Sequence, residues 1–73
     1  MLPFQLHPVG DCALLAEFAQ RIAPDIGAAV AALNSRVLTA KLPGVVETVP
    51  AFASLLITYD PLVTEYDTIA DAV

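Results

Sequence analysis

Four short segments of the 73-residue chain have strand patterns: residues 3–8 and 45–50 alternate apolar and polar side chains, 12–18 place apolar side chains at every second position, and 54–59 are rich in strand formers. Prolines or glycine-containing turns bound most of these segments, and such residues end strands. We therefore predict four strands, at residues 3–8, 12–18, 45–50 and 54–59. The alternation also predicts which side chains share a face: Leu14, Ala16 and Phe18 on the second strand, and Val45, Glu47 and Val49 on the third. The fourth segment, SLLITY, is the most apolar, so we expect a central strand buried on both faces or nearly so.

Two further segments have the spacing of a helix. From residue 22 onward, apolar side chains recur every three or four positions, which predicts a first helix over residues 24–38 with one buried face. These side chains are Ile22, Ile26, Val30, Leu33 and Val37. A weak capping-box pattern, Thr64 with Asp67, precedes apolar residues at helical spacing and predicts a second helix there.

The order ββαββα favours an α+β fold, a mainly antiparallel four-stranded sheet with helices packed on one face. The second helix reaches Val73 without a C-terminal glycine, a basic last turn or a proline. We therefore expect the 73 residues to be a truncated part of a longer protein.

Composition adds that the chain is unusually apolar, with 58% hydrophobic and 15% charged residues. Either the core is compact and rich in alanine and valine, or another domain or subunit covers part of the apolar surface.

The net charge of −5 argues against a nucleic-acid partner, which would require many basic contacts to phosphates. The longest uncharged apolar stretches, residues 26–33 and 51–59, are too short for a bilayer span, and the N-terminus lacks a signal-peptide pattern. The single cysteine fits a reducing compartment. We expect a cytoplasmic protein that does not contact membranes.

Candidate chemistry is sparse. His7 and Cys12 lack the spacing of a metal site, so we expect a strand histidine and a small buried apolar cysteine. A Cys–His nucleophile pair across the first turn is the alternative, but no third group orients it. Gly10 and Gly44 lack the spacing of a phosphate-binding loop, so we interpret them as turn residues. We expect Glu47 to be an outward-facing strand residue. Three of the aspartates fit turns and caps, namely Asp11, Asp60 and Asp67. We therefore predict no catalytic, cofactor-binding or metal-binding residue in these 73 positions.

Three phrases in order, at compatible spacing, resemble a known family. They are VGD and ALLAEF within residues 9–18, LPGVVETVPAF at 42–52 and SLLITYDP at 54–61. The chain thereby resembles the N-terminal domain of the KipI/PxpB family, also called allophanate hydrolase subunit 1 or carboxyltransferase subdomain C/D. The landmark positions that carry the resemblance are Gly10, Asp11, Pro43, Gly44, Glu47, Pro50, Tyr59, Asp60 and Pro61.

The resemblance implies a small N-terminal α+β domain, residues 1–73, followed by a cyclophilin-like C-terminal domain. It implies a role in the PxpB component of a bacterial 5-oxoprolinase, an ATP-dependent hydrolase that opens 5-oxoproline to glutamate. The expected partners are a KipA/PxpC-type subunit and the chain's own C-terminal domain, and ATP would serve the holoenzyme and not this fragment. The alternatives are a KipI-like inhibitor of a sensor histidine kinase and a component associated with allophanate hydrolase or urea carboxylase.

Overall fold

The computed structural model describes residues 2–19 and 24–73. In chain order the elements are β1 (Gln5–Val9), β2 (Ala13–Glu17), α1 (Pro24–Ala40), β3 (Val45–Pro50), β4 (Ser54–Tyr59) and α2 (Tyr66–Ala72). The predicted bounds of β3 and β4 are confirmed, and the first helix continues two residues beyond its predicted end. Ile22, predicted to lie on the buried face of that helix, is outside the described residues.

The four strands form one antiparallel sheet in the order β1-β2-β4-β3, so β2 and β4 are the central strands. Both helices pack on the same side of the sheet: α1 contacts β3 and β4, and α2 contacts β2. The predicted α+β class, with helices on one face of a four-stranded sheet, is confirmed. We call the side opposite the helices the outer face.

The core lies between the helices and the central strands. Its sheet side consists of the inward-facing residues of β2 and β4 and the residue after β2: Leu14, Ala16, Phe18, Leu55, Ile57 and Tyr59. The helices contribute Ile26, Ala29, Val30, Leu33, Val37 and Ile69. The predicted buried faces of β2 and of the described part of α1 are confirmed. Burial of each large aliphatic side chain contributes roughly 1.5–3 kcal/mol, so this layer contact is the main source of stability.

The predicted central position of β4 is confirmed, whereas the expected burial on both faces or nearly so holds for one face only. Its residues alternate strictly, with Leu55 and Ile57 fully buried and Leu56 only half-buried on the outer face. The strand is central, but helices cover only one side of the sheet. Its apolar composition therefore reflects an apolar outer face and not a second buried layer.

A β-bulge in β3 overturns the predicted alternation of that strand. Val45 pairs with Tyr59, yet Glu47 pairs with Thr58, the preceding residue of β4. Val46 is the extra residue of the bulge, and its side chain is 68% exposed. Beyond the bulge Glu47 and Val49 lie on the outer face, while Val45 packs against the core.

The helix termini differ from the predicted capping pattern. The N-cap of α2 is Glu65, one residue after the predicted Thr64, and its side chain makes no capping hydrogen bond. The chain leaves α1 through Lys41, which adopts a left-handed backbone with φ of 49°. Neither α1 nor α2 is long and apolar enough to cross a membrane, and the described residues form no other helix.

Candidate functional site

Three loops meet at one end of the sheet, which we call the turn end and define as residues 10–12, 43–45 and 59–63. The strands bring them together because β1 ends, β2 begins, β3 begins and β4 ends there. The Tyr59 N–H donates to the Cys12 carbonyl oxygen at 2.9 Å, and the Asp60 N–H donates to the Gly44 carbonyl oxygen at 2.7 Å. These bonds join all three loops into one unit.

Asp60 organises the loop that follows β4. Its Oδ1 accepts a 2.9 Å hydrogen bond from the Leu62 N–H, an Asx-turn arrangement. Its carbonyl oxygen accepts bonds of 3.0 Å from the backbone N–H groups of Val63 and Thr64. The expectation that this aspartate serves a turn is confirmed.

The two turn glycines are constrained to different degrees. Gly44 has φ of +87°, and a Cβ built there would lie 2.6 Å from Thr64 Cγ2 and 3.2 Å from Val63 Cγ1. Gly10 also has positive φ, +63°, but nothing lies within 4 Å of its Cβ position. Gly44 is therefore required both for its backbone conformation and for the close approach of the Asp60–Thr64 loop.

Tyr59 is 4% exposed beneath the turn end. Burial raises the pKa of its phenol above the ordinary value of 10.0, because burial disfavours the charged phenolate. Negative charge on Cys12, Asp11, Tyr66 and Asp67 raises this pKa further. These surroundings therefore favour the neutral form of the Tyr59 phenol.

Seven of the nine landmark positions lie at the turn end: Gly10, Asp11, Pro43, Gly44, Tyr59, Asp60 and Pro61. Of the other two, Glu47 is exposed on the outer face, as expected, and Pro50 ends β3 at the opposite end of the sheet. The geometry accounts structurally for Gly44, Tyr59 and Asp60. Their standing as family landmarks stays a prediction.

Cys12 contradicts its expected burial, because the thiol is free and exposed. It lies in the turn before β2 begins, so it does not join the inward-facing set that starts at Leu14. Because β2 begins at Ala13 and not at the predicted residue 12, Cys12 lies outside the strand and is exposed.

His7 is a half-exposed strand residue, as expected. Its Nε2 lies 3.4 Å from Oε1 of Glu17 on the neighbouring strand, close enough for an ion pair if the imidazole is protonated, although the angles are not those of a hydrogen bond. The hairpin register places His7 opposite Leu15, three residues along the chain from Cys12. The pairing with Glu17 could not be predicted from the sequence because it depends on the register of the hairpin.

Neither a metal-binding cluster nor a phosphate-binding loop is found among the described residues. In residues 2–19 and 24–73, no three His, Cys, Asp or Glu side chains converge in a way that could hold a metal ion. Gly10 and Gly44 occupy separate turns and do not form a continuous loop around a phosphate. The two turns therefore do not fit the phosphates of ATP.

The described geometry agrees with the comparisons to known proteins. The family profile described as carboxyltransferase domain, subdomain C and D, matches residues 4–73. The chain belongs to this family. The KipI/PxpB relationship expected from the sequence phrases is thereby confirmed, because the N-terminal domain of KipI is also among its structural relatives.

Two solved structures show how the family fold is shared. A conserved uncharacterized protein from Pyrococcus horikoshii is 34% identical, with a TM-score of 0.86, over 92% of this chain and 31% of that chain. The N-terminal domain of the histidine kinase inhibitor KipI from Bacillus subtilis is 30% identical, with a TM-score of 0.67, over 81% of this chain and 58% of that chain. The chain thus spans less than two thirds of either relative. Comparison with curated proteins gives no match.

Proposed function

We propose that this chain is a non-catalytic interaction domain of a protein like the PxpB component of 5-oxoprolinase. With partner subunits, the whole protein would open the lactam ring of 5-oxoproline to glutamate at the expense of ATP. The domain would hold the partner and the reacting domain in place, and the chemistry would occur on other residues. ATP and the KipA/PxpC-type partner enter this proposal through the family resemblance.

One observation carries the interaction role. Leu62 is 93% exposed and Val63 is 61% exposed, both on the loop that Asp60 holds in place. This loop borders a groove of about 450 Å³, which is also lined by Leu42 and Pro43 and, from α2, by Thr68, Ile69 and Ala72. Contiguous exposed apolar surface of this kind is typical of protein contact sites.

The experiment is 5-oxoproline-dependent ATP hydrolysis by the full-length protein, co-expressed with its genomic neighbours, with and without this component. We expect activity to vanish when the component is omitted. Leu62→Asp should lower activity and weaken co-purification of the partner, because it places a charge in the apolar contact. Phe52→Asp is the matched control, since Phe52 is also exposed, at 56%, but lies near the opposite end of the sheet. Equal effects of the two substitutions would contradict the role of the turn end.

Inhibition of a sensor histidine kinase is the second candidate, favoured by the likeness to the KipI N-terminal domain. It requires only a complementary surface and no partner enzyme subunit. Its test is the autophosphorylation rate of a sensor kinase encoded nearby, measured with and without the full-length protein. A reduced rate, together with no 5-oxoproline-dependent ATP hydrolysis in any combination, would favour this candidate over the first.

A further inference from the structure

The outer face of the sheet is lined by side chains that the strand registers place in level rows. One row crosses all four strands and contains His7, Leu15, Leu56 and Val49. The next row contains Val9, Ala13, Thr58 and Glu47. Both helices pack on the other side of the sheet, so no described helix covers these rows.

Apolar members of the two rows form one continuous band, which we call the outer stripe: Val9, Ala13, Leu15, Leu56 and Val49. Val9 and Val49, at its two ends, are 43% and 44% exposed. Leu15 and Leu56 are half-buried at its centre. The outer stripe therefore crosses the sheet from one edge strand to the other.

Carboxylates border the outer stripe on both sides. Glu47 lies two residues before Val49 on β3, in the row of Thr58. Glu17 lies two residues after Leu15 on β2, in the row of Ser54 on the other side of the outer stripe. Two strand spacings and four residues of rise separate the two glutamates, roughly 17 Å between their Cα atoms. None of the four strands contains a lysine or an arginine, so the fixed charges of this face are all negative.

These dimensions match one kind of partner. The outer stripe spans three strand spacings, about 14 Å, which equals the length of roughly ten helical residues. The distance between the Cα atoms of the two glutamates exceeds the ~10–12 Å diameter of a helix. A helix lying along the outer stripe would therefore have one glutamate on each side. We infer that the outer face is a docking surface for an amphipathic helix with basic residues on both borders of its apolar face.

Charge complementarity selects this occupant over a second copy of the chain. Two outer faces brought together would place four glutamates in one contact with no strand lysine or arginine to pair with them, and unpaired charges in a contact cost binding energy. A helix with lysine or arginine on both borders would instead pair with Glu17 and Glu47. This inference does not depend on which of the two proposed functions is correct.

The test uses the full chain and a synthetic helix of about 14 residues, with leucines on one face and lysines along both borders of that face. Binding is measured by titration, and the contact is mapped through changes in backbone amide resonances. We expect the shifts to centre on Leu15, Leu56 and Val49. The double variant Glu17→Lys with Glu47→Lys should weaken binding about tenfold, and a glutamate-bordered version of the helix should then bind the variant better than it binds the unchanged chain.

The control is a second double variant, Asp67→Lys with Asp71→Lys, which reverses two exposed acidic side chains of α2 on the helical side. It makes the same change in net charge, so it should leave affinity within about twofold if the outer face is the site. Equal weakening by both variants would overturn the inference, as would shifts confined to α1 and α2 or no binding. Self-association through the outer face, detected by sedimentation and by altered Leu15 and Leu56 resonances without peptide, would also overturn it.

Discussion

The backbone N–H of Asp60 donates a 2.7 Å hydrogen bond to the carbonyl oxygen of Gly44, which joins the end of β4 to the entry of β3. The same aspartate folds the next four residues back over Gly44, so that the Thr64 methyl group would lie 2.6 Å from a Cβ there. A glycine and an aspartate 16 positions apart in sequence thus hold the turn end in one conformation.

Gly44→Ala should destabilise the protein by about 2–4 kcal/mol. Positive φ costs an L-residue about 1 kcal/mol, and overpacking against Thr64 and Val63 adds about 1–3 kcal/mol. Gly10→Ala is the control and should cost only about 1 kcal/mol, because its Cβ would meet open space. The free energies of unfolding come from denaturant titration. Equal losses at the two glycines would contradict the packing at Gly44.

Lys41→Gly should stabilise the protein by about 0.5–1 kcal/mol. Lys41 ends α1 with φ of 49°, a conformation that glycine adopts without steric cost. Lys41→Ala removes the same side chain but keeps the backbone penalty, so it should give no such gain. A thermal melt of the three proteins separates these outcomes. A gain with alanine equal to that with glycine would mean that the side chain, and not the backbone, is responsible.

Leu55→Ala and Leu56→Ala form a matched pair within β4. Leu55 is fully buried between the sheet and the helices, so its truncation should cost about 2–5 kcal/mol. Leu56 is half-buried on the outer face, and its truncation should cost less than half as much. Chemical denaturation of both variants measures the difference. Equal losses would mean that the outer face is covered as well.

Tyr59 should make the protein sensitive to strongly alkaline pH. Its folded-state pKa is raised above 10.0, so the folded state holds the phenol proton more tightly than the unfolded state does. That contribution to stability is complete below about pH 10 and is lost as the pH rises through the folded pKa. Ultraviolet absorbance is titrated with pH for the unchanged protein and for Tyr59→Phe. The difference between the two curves should show a phenol that ionises above its ordinary pH range. A difference titration centred at or below 10.0 would contradict the burial of this phenol.

The sequence was sufficient for the fold where local pattern and tertiary packing agree. The two-residue period of a strand located Leu14, Ala16 and Phe18 on the core side of β2, and helical spacing located the buried face of α1. It failed at Leu56, because an apolar strand gives the same pattern whether its second face is covered or open. It also failed at Val46, since a bulge adds one residue without changing the composition of the strand.

The candidate site was harder to predict than the fold. The sequence predicted turn roles for Gly44 and Asp60 but marked Tyr59 only as part of a phrase, and the common location of the three depends on how β3 and β4 pair. The contact between His7 and Glu17 likewise depends on hairpin register. Cys12 was misplaced because one position at a strand end decides between burial and exposure.

The most direct test of the proposed interaction role is 5-oxoproline-dependent ATP hydrolysis by the full-length protein with its genomic neighbours. Activity is measured with this component, without it, and with its Leu62→Asp variant. We predict that activity vanishes when this component is omitted, falls with Leu62→Asp and is retained with Phe52→Asp. Undiminished activity without the component, or activity in no combination, would contradict the proposed role.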